Sequence, residues 1–494
     1  MDETQPLLQD VHLVYDERQE DTASKDIVDF NPDGDAENPM EWPRAYKWGI
    51  VALLALMAFT VTFTCISVVP VATRIVDDLD HGHSSKSASV LLVTIWELGE
   101  AAGPLLIAPL SEVFGRYAVM NAANLLFIAA TVLSALSQSS TLFIATRALT
   151  GFAVASNVLN PAIVGDIFIS EQRGSAMSLI QLAPLIGGAI GPAISGAIAE
   201  TVGWRHAMWM SVILATTCEV VFLTCFRETY KVAILRRKAA RLRRETGNES
   251  LRTVFDTADG SRASKVWDAA IRPFTVLAGS GVLQALSIFG SIVFTFFYIL
   301  ATTLPDILET TYGLSPAAAG SAFISFSIGS AISVVFCNLT LDRIYIKLRD
   351  SHKGVGQPEF RLPLVIIGGF TLPIVVAWYG WTAQAHLSVP VLLSSVAMTG
   401  VTLMLGFLPL YAYVVDAFGL YAASAMTAVI VSRCLAGTFL PLATGPLVSK
   451  FGYGIGLSIL AGMSLVLAPI PVFVLRYGYK WRQRSKYTRD EQAT

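Results

Sequence analysis

The stretch QLAPLIGGAIGPAISG, Gln181–Gly196, lies inside an apolar run that is long enough to cross a bilayer. Gly187, Gly191 and Ser195 are four residues apart, so they share one face of a helix. Small residues at this spacing let a second helix approach backbone to backbone. Pro192 removes an amide donor and bends the helix at the same level. The stretch therefore predicts a membrane-spanning helix that packs closely against a partner.

A second stretch near the end of the chain repeats this pattern. Gly445–Ser449 reads GPLVS, and Gly191–Ser195 reads GPAIS. If the first stretch lies on the fifth spanning helix, the second lies on the eleventh. The chain then divides into two six-helix halves with equivalent GP-x-x-S helices. Two such halves that rock about a central site are a transporter architecture.

The residues GGAIGPAISG resemble the antiporter signature G-x-x-x-G-P-x-x-G-G of the major facilitator superfamily. Gly187, Gly191, Pro192 and Gly196 match it, and Ser195 departs from it. The segments Asn38–Trp48 and Tyr411–Ala425 are also similar to those of fungal twelve-helix drug:proton antiporters in that superfamily. The resemblance implies an all-α membrane protein with twelve transmembrane helices in two pseudo-symmetric bundles. It also implies proton-coupled antiport.

Composition independently indicates a protein with many membrane spans. The 494 residues are 53% hydrophobic and only 15% charged, whereas soluble domains carry roughly 25% charged residues. The five cysteines fall in predicted spans and form no CxxC pair, so they read as packing residues and predict no metal site. The first 45 residues are polar and acidic, so no cleavable signal peptide is expected.

Hydropathy and charge divide the chain into five parts. We predict a disordered acidic tail over 1–45, a six-helix bundle over 46–228, a basic loop over 229–272, a second bundle over 273–477 and a basic tail over 478–494. The seventh span is predicted at Phe274–Ala301. Lys and Arg concentrate in the central loop, the loop between spans 8 and 9, and the C-terminal tail, which places both termini in the cytoplasm. The central loop should lie against the anionic inner leaflet or form a solvated linker with an amphipathic helix.

The loop Ala108–Tyr117 resembles the superfamily's G-x-L-x-D-R-x-G-R-R motif. Glu112 stands for the Asp, and Gly115 and Arg116 match. In the family this loop latches the cytoplasmic ends of helices, and Arg116 is expected to pair with Asp166. Asp342 and Arg343 are a partial echo after span 8. The alternative is an ordinary charged turn.

Three charged residues fall near the middle of the membrane. Glu97 and Glu100 share one face of span 2, about nine to twelve residues into it, which is roughly 13–18 Å deep. Arg433 reaches a similar depth in span 11. Because a lone intramembrane charge costs about 2.5–3.5 kcal/mol or more, we predict that Arg433 pairs with one acid while the other takes the coupled proton. Alternatively, the acids only fix helix packing.

Arg147, in span 4, is the rival partner for these acids. Arg147-Ala148-Leu149-Thr150-Gly151 resembles the family's R-x-x-x-G pattern, which implies a part for Arg147 in proton coupling. Alternatively, its side chain extends to the outer surface. Span 7 offers aromatic side chains that could line a pocket for planar apolar compounds, namely Phe289, Phe294, Phe297 and Tyr298.

The leading functional hypothesis is a proton-coupled exporter of small apolar organic compounds, such as drugs or fungal secondary metabolites. The alternatives are an importer or polyamine transporter of the same fold and, more remotely, a polytopic membrane enzyme. No catalytic residues and no cofactor are expected, since the proton gradient supplies the driving force. We expect a monomer in the lipid bilayer, in the plasma or vacuolar membrane, with a small-molecule substrate and no nucleic-acid partner.

Overall fold

The computed structural model describes residues 27–31, 34–81, 85–154, 156–253, 255, 262–352 and 354–489. Within these residues the chain is almost entirely helical. Long apolar helices are the expected solution in a bilayer, because a helix satisfies its own backbone hydrogen bonds where no water is available.

The N-terminal half contains six spans. Their bounds are Arg44–Ile66 for span 1, Lys86–Phe114 for span 2, Arg116–Ala135 for span 3, Ser140–Phe152 with Ser156–Ile167 for span 4, Ser170–Thr201 for span 5 and Trp204–Cys225 for span 6. A short helix, Ala72–Leu79, follows span 1.

The C-terminal half repeats this order. Its bounds are Gly281–Thr310 for span 7, Pro316–Ser321 with Phe323–Ser351 for span 8, Pro363–Gln384 for span 9, Val389–Phe418 for span 10, Ala422–Phe439 leading into Thr444–Leu467 for span 11 and the start of span 12, and Pro469–Arg482 for the remainder of span 12. Gly452, with φ 79°, breaks the helix between spans 11 and 12.

Ten of the described stretches are long and apolar enough to span a membrane by themselves. Two features reconcile this number with twelve spans. Span 4 is interrupted after Phe152, so neither piece qualifies alone. The last stretch, Ala422–Arg482, contains two spans that meet at Gly452. The predicted all-α fold of twelve spans is therefore confirmed.

Span 7 starts later than predicted. It begins at Gly281, where the Ser280 side chain caps the helix by accepting a hydrogen bond from the Leu283 amide. The preceding helix has already ended at Ala278. Arg262–Ala278 is a separate helix, which we call the bridging helix because it packs against span 2 of one half and span 11 of the other. The predicted loop 229–272 thus holds two helices, the first being Lys231–Thr246, the loop helix.

The N-terminal segment, the central loop, the loop between spans 8 and 9 and the C-terminal tail lie on one side of the molecule, here the termini face. Residues from 27 onward correct the prediction of a disordered tail over 1–45. Ile27–Val28 pairs in parallel with Arg252–Thr253, and Asp35 forms an ion pair with Lys238 of the loop helix at 2.6 Å. The acidic composition of this segment predicted disorder because composition does not reveal that the basic loop helix neutralises these charges. Residues 1–26 lie outside the described residues.

The C-terminal tail is held to the second bundle by a buried ion pair. Arg482 Nε donates to Glu359 Oε1 at 2.8 Å, and the two residues are 4% and 1% exposed. Arg482 also donates to the carbonyl of Thr488. This pair fixes the end of span 12 against the start of span 9.

Arg482→Met should lower the free energy of unfolding by about 3–5 kcal/mol, because it leaves the Glu359 carboxylate buried without its cation. Thermal unfolding of the purified protein in detergent measures the effect. Arg484→Met is the matched control, since Arg484 is exposed on the same tail and should change little. Equal melting temperatures for the two variants would contradict the role of the pair.

Candidate functional site: a charged cluster between the two bundles

Glu97 forms a contact between the two halves in the middle of the molecule. The hydroxyl of Tyr298, on span 7, donates to Glu97 Oε1 at 2.8 Å. Both residues are buried, with 2% and 4% of their surfaces exposed. The other carboxylate oxygen, Oε2, has no hydrogen-bond partner within the described part of the chain. A buried polar oxygen that lacks a donor costs free energy, so Glu97 is an incompletely satisfied member of this contact between the halves.

Glu100, one turn further along span 2, is paired with Arg433. Arg433 Nη2 lies 3.3 Å from Glu100 Oε1, and Nη1 donates to the Tyr411 hydroxyl at 3.1 Å. The guanidinium also lies 4.2 Å from the centre of the Phe294 ring. Spans 2 and 11 therefore meet through a compensated pair of charges, as an arginine at this depth requires.

Arg147 does not join this cluster of charges. Its guanidinium donates to the carbonyl oxygens of Thr64 at 3.2 Å and Cys65 at 2.7 Å, and it lies 4.6 Å from the Trp96 ring centre. Only 2% of its surface is exposed, so it does not extend outward. The prediction that it is a rival partner for the acids is wrong. Its partners are backbone carbonyls at the end of span 1, where the helix leaves them without amides.

A cavity of about 470 Å³ opens above Glu97, on the face opposite the termini. Its floor includes Val93 and Thr302, which lie one helical turn from Glu97 and Tyr298 respectively. Thr94 on span 2 donates to the carbonyl of Thr438 on span 11 at 2.9 Å. Closer to the termini face, the same two spans are joined by a buried cluster that includes Ala101, Val431 and Cys434. The spans thus part toward the opposite face.

The predicted aromatic pocket is only partly where sequence placed it. Phe289 is buried inside the second bundle, where it packs against Gly369, so its assignment to a pocket is wrong. Phe294 and Phe297 are half-buried and contact Tyr298 edge to face. None of the four predicted residues lines the 470 Å³ cavity. Phe294 instead contacts the Arg433 guanidinium, Tyr298 bonds to Glu97, and Phe297 packs on Tyr298.

The predicted latch is assembled at the termini face of the first bundle. Arg116 Nε lies 3.3 Å from Asp166 Oδ2, and its guanidinium lies 4.6 Å from the Tyr230 ring centre. Gly115 has φ 95°, in the left-handed region that favours glycine. Glu112 is exposed.

Sequence reasoning missed Glu228, which holds this latch from the end of span 6. Its carboxylate accepts from the backbone amides of Arg116 at 2.8 Å and Tyr117 at 3.4 Å, at the start of span 3. It also accepts from the Tyr230 amide at 3.0 Å. A Cβ on Gly115 would lie 2.1 Å from Glu228 Oε2 and would displace this carboxylate from the amides, so glycine suits the position for this reason as well as for its φ. A carboxylate at a helix N-terminus is favourable because the first amides have no other partner.

The echo of the latch in the second bundle uses a different arginine. Arg361, at the start of span 9, pairs with Asp342 at 2.5 Å and with Asp416 at 2.9 Å. The predicted assignment of Arg343 to this latch is therefore wrong, because Arg361 pairs with Asp342 and Asp416 instead. The partner could not be read from the motif, since it comes from the next helix.

Span 5 packs on span 1 through the small residues identified first. A Cβ on Gly187 would lie 2.8 Å from the carbonyl oxygen of Phe59, and one on Gly191 would lie 3.1 Å from that of Phe63. Ser195 completes the series by donating to the carbonyl of Ser67 at 2.5 Å. Phe59, Phe63 and Ser67 are themselves four apart, so two matched helical faces run side by side.

A second close approach joins span 5 to span 8 across the two halves. A Cβ on Gly196 would lie 2.4 Å from the Pro316 carbonyl oxygen. Reciprocally, a Cβ on Gly320 would lie 2.1 Å from the Pro192 carbonyl oxygen. One face of the antiporter-like motif therefore contacts span 1, and an adjacent face contacts span 8 of the other bundle.

One group in the described chain has the spacing of a metal site. Ligand atoms of Glu97, Glu100 and Cys434 lie within 4.8 Å of one another. Within this group, Arg433 supplies a positive charge to Glu100.

Comparison with known proteins identifies the family. The family model described as Major Facilitator Superfamily matches residues 50–441. The efflux pump radE of Floropilus chiversii is 33% identical over 95% of this chain and 87% of its own length. The MFS transporter cpaT of Aspergillus oryzae is 34% identical over 94% and 93%.

A solved structure agrees on the fold. The xylose transporter XylE of E. coli superposes with a TM-score of 0.65 at 17% identity, over 88% of this chain and 98% of its own. At that identity the likeness concerns the fold alone. Taken with the family match and the two fungal relatives, these findings show that the chain is a membrane transporter of the Major Facilitator Superfamily.

Proposed function

We propose that this transporter is a proton-coupled antiporter that exports small, largely apolar organic compounds, with Glu97 as the proton carrier. The observation that carries the proposal is the Glu97–Tyr298 contact between the halves, in which one buried carboxylate oxygen has no hydrogen-bond partner in the described chain. A change in the charge of this carboxyl group would act directly on a contact that joins the two halves.

The two acids of span 2 take different parts in this proposal. Glu100 is paired with Arg433 and is not the proton carrier in this proposal. Glu97 faces a neutral phenol, which can donate to a carboxylate but cannot cancel its charge. Two adjacent carboxylates cannot easily both ionise, and we assign the proton to Glu97, which bonds to a phenol, because Glu100 forms the direct ion pair with Arg433. The choice that sequence left open therefore falls on Glu97.

Alternating access follows from the same contacts. The 470 Å³ cavity ends one turn from Glu97, which offers a route for a proton from the opposite face. Protonation weakens the hold of Glu97 on its partner across the halves, and the bundles can then rock. Half-buried Phe294 and Phe297 beside this contact suit a planar apolar substrate. The transported compound and the proton then compete for the same site, the Glu97–Tyr298 contact between the halves.

Export rather than import is supported by the relatives, of which one is named an efflux pump. We place the transporter in the plasma membrane, with the termini face toward the cytoplasm as the loop charges predict. The opposite-face cavity then opens to the outside, where protons enter as the compound leaves.

The test uses purified protein in vesicles with an imposed pH gradient and rhodamine 6G as a planar aromatic probe. Orientation in the vesicle is fixed by protease access to the C-terminal tail. The proposal predicts accumulation of the dye on the side from which protons leave, and its collapse with a protonophore. Movement of dye together with protons would identify an importer instead.

A further inference from the structure

The N-terminal acids are bound one by one to a single face of the loop helix. Asp35 pairs with Lys238 at 2.6 Å, Glu37 with Arg241 at 2.8 Å and Asp29 with Lys231 at 3.5 Å. We call Asp29, Asp35 and Glu37 the acidic clamp. Lys231 and Lys238 are seven apart and Arg241 follows by three, so the three cations share one side of the helix.

The acidic clamp is braced by its own segment. Glu41 accepts from the Asp35 amide and from the Asn38 side chain, both at 2.7 Å. Trp42, which is buried, donates to the carbonyl of Ala36 at 3.1 Å. The segment therefore holds Asp35 and Glu37 in place rather than offering loose charges. Such pre-organisation lowers the entropy cost that makes most surface ion pairs weak.

The central pair is shielded from solvent. The side chains of Lys238 and Asp35 are 17% and 12% exposed, and Lys238 also donates to the carbonyl of Asp29 at 3.2 Å. The hydrogen bond from Lys238 holds the pKa of Asp35 below its usual range. Because that pKa is depressed, the contact persists at neutral pH and is lost only as the pH falls through the lowered value.

The loop helix also contacts the residues of the latch. Arg237 lies 3.7 Å from Glu228, which accepts the backbone amides of Arg116 and Tyr117. Tyr230, at the helix start, lies under the Arg116 guanidinium that pairs with Asp166. A continuous set of contacts thus runs from the N-terminal segment to the latch.

We propose that the acidic clamp docks in cis on the loop helix and, through Glu228, stabilises the state that is closed on the termini face. The clamp is an intramolecular regulator of which face is open. Its occupant is this chain's own N-terminal segment, which pairs with the basic face that the sequence analysis placed either against the anionic leaflet or in a solvated linker. Ion pairs of this kind change an equilibrium by up to about fivefold each.

Docking is tested by the distance between spin labels at Ala36→Cys and Ala240→Cys, two exposed positions, in a Cys225→Ser background and neutral phosphatidylcholine vesicles. We expect one short, narrow distance. Asp35→Lys should broaden it, and adding Lys238→Asp should restore it. Glu249→Gln, which removes an exposed acid of the same loop region, is the matched control and should leave it narrow.

Regulation is tested by a second pair of labels, at Phe114→Cys on span 2 and Ala423→Cys on span 11. We expect Asp35→Asn with Glu37→Gln to raise the population with the longer distance about five- to tenfold. An unchanged population, with docking lost, would overturn the regulatory role. The same distance is also measured, with the acidic clamp intact, in vesicles that contain phosphatidylserine. A broad distance between the labels at positions 36 and 240 would overturn the proposal, since lipid would then occupy the basic face of the loop helix.

Discussion

Glu97→Gln is expected to abolish concentrative transport while leaving exchange of substrate intact. Glutamine mimics the protonated acid, so it weakens the contact with Tyr298 in the same way, and it cannot release a proton. One coupled proton is equivalent to about 1.4 kcal/mol per pH unit, so the wild-type protein can accumulate substrate up to about tenfold per unit of gradient. The variant should reach a ratio near one. Uptake and counterflow in the same vesicles measure both quantities.

The controls for this prediction separate coupling from burial. Glu219→Gln alters another buried glutamate, which also has one oxygen without a partner in the described chain but accepts from Asn124 at 2.7 Å inside the first bundle. Because Glu219 does not join the two halves, this variant should keep the pH dependence of transport. Glu100→Gln removes the partner of Arg433 and should impair exchange as well, because it leaves a buried cation. Accumulation by Glu97→Gln at the wild-type ratio would contradict the assignment.

Gly320→Ala is expected to reduce turnover about fivefold to a hundredfold without affecting membrane insertion. The new methyl group would lie 2.1 Å from the Pro192 carbonyl oxygen, a backbone atom that cannot rotate away. The two bundles must then separate along spans 5 and 8, and overpacking of this kind costs about 1–3 kcal/mol. Turnover per molecule at the membrane, with abundance measured in parallel, gives the effect.

A matched control lies on span 5 itself. A Cβ on Gly188 would meet only side-chain atoms at ordinary contact distance, of Ile66 at 3.7 Å and Thr62 at 3.9 Å, so Gly188→Ala should transport normally. Gly196→Ala, which presses on the Pro316 carbonyl from the other side, should resemble Gly320→Ala. If Gly320→Ala and Gly188→Ala behave alike, close approach of the halves at this level is not required.

Sequence predicted best where spacing and depth decide the outcome. The four-residue series on span 5 fixed a helical face, and span 1 fills it with Phe59, Phe63 and Ser67. Counting residues into spans 2 and 11 placed Glu100 and Arg433 at one level, where the structure joins them. Helical rise and bilayer thickness are nearly constant, so such arithmetic transfers from sequence to structure.

Sequence predicted poorly where the partner is a backbone group or comes from a distant loop. Arg147 bonds to carbonyl oxygens, which every residue type carries, so no side chain in the sequence points to them. Glu228 acts on amides more than a hundred positions away, at a helix start that looks like any other. The N-terminal segment appeared disordered because composition says nothing about a partner elsewhere in the chain.

The assignment of the coupled proton to Glu97 is tested by measuring proton release when substrate binds. Purified protein in weakly buffered detergent, with a pH-sensitive dye and rhodamine 6G as the ligand, reports each proton displaced. We expect about one proton released per bound ligand for the wild-type protein and none for Glu97→Gln, with Glu219→Gln like wild type. Equal release by Glu97→Gln and the wild-type protein would contradict it, because the coupled proton would then reside on another group.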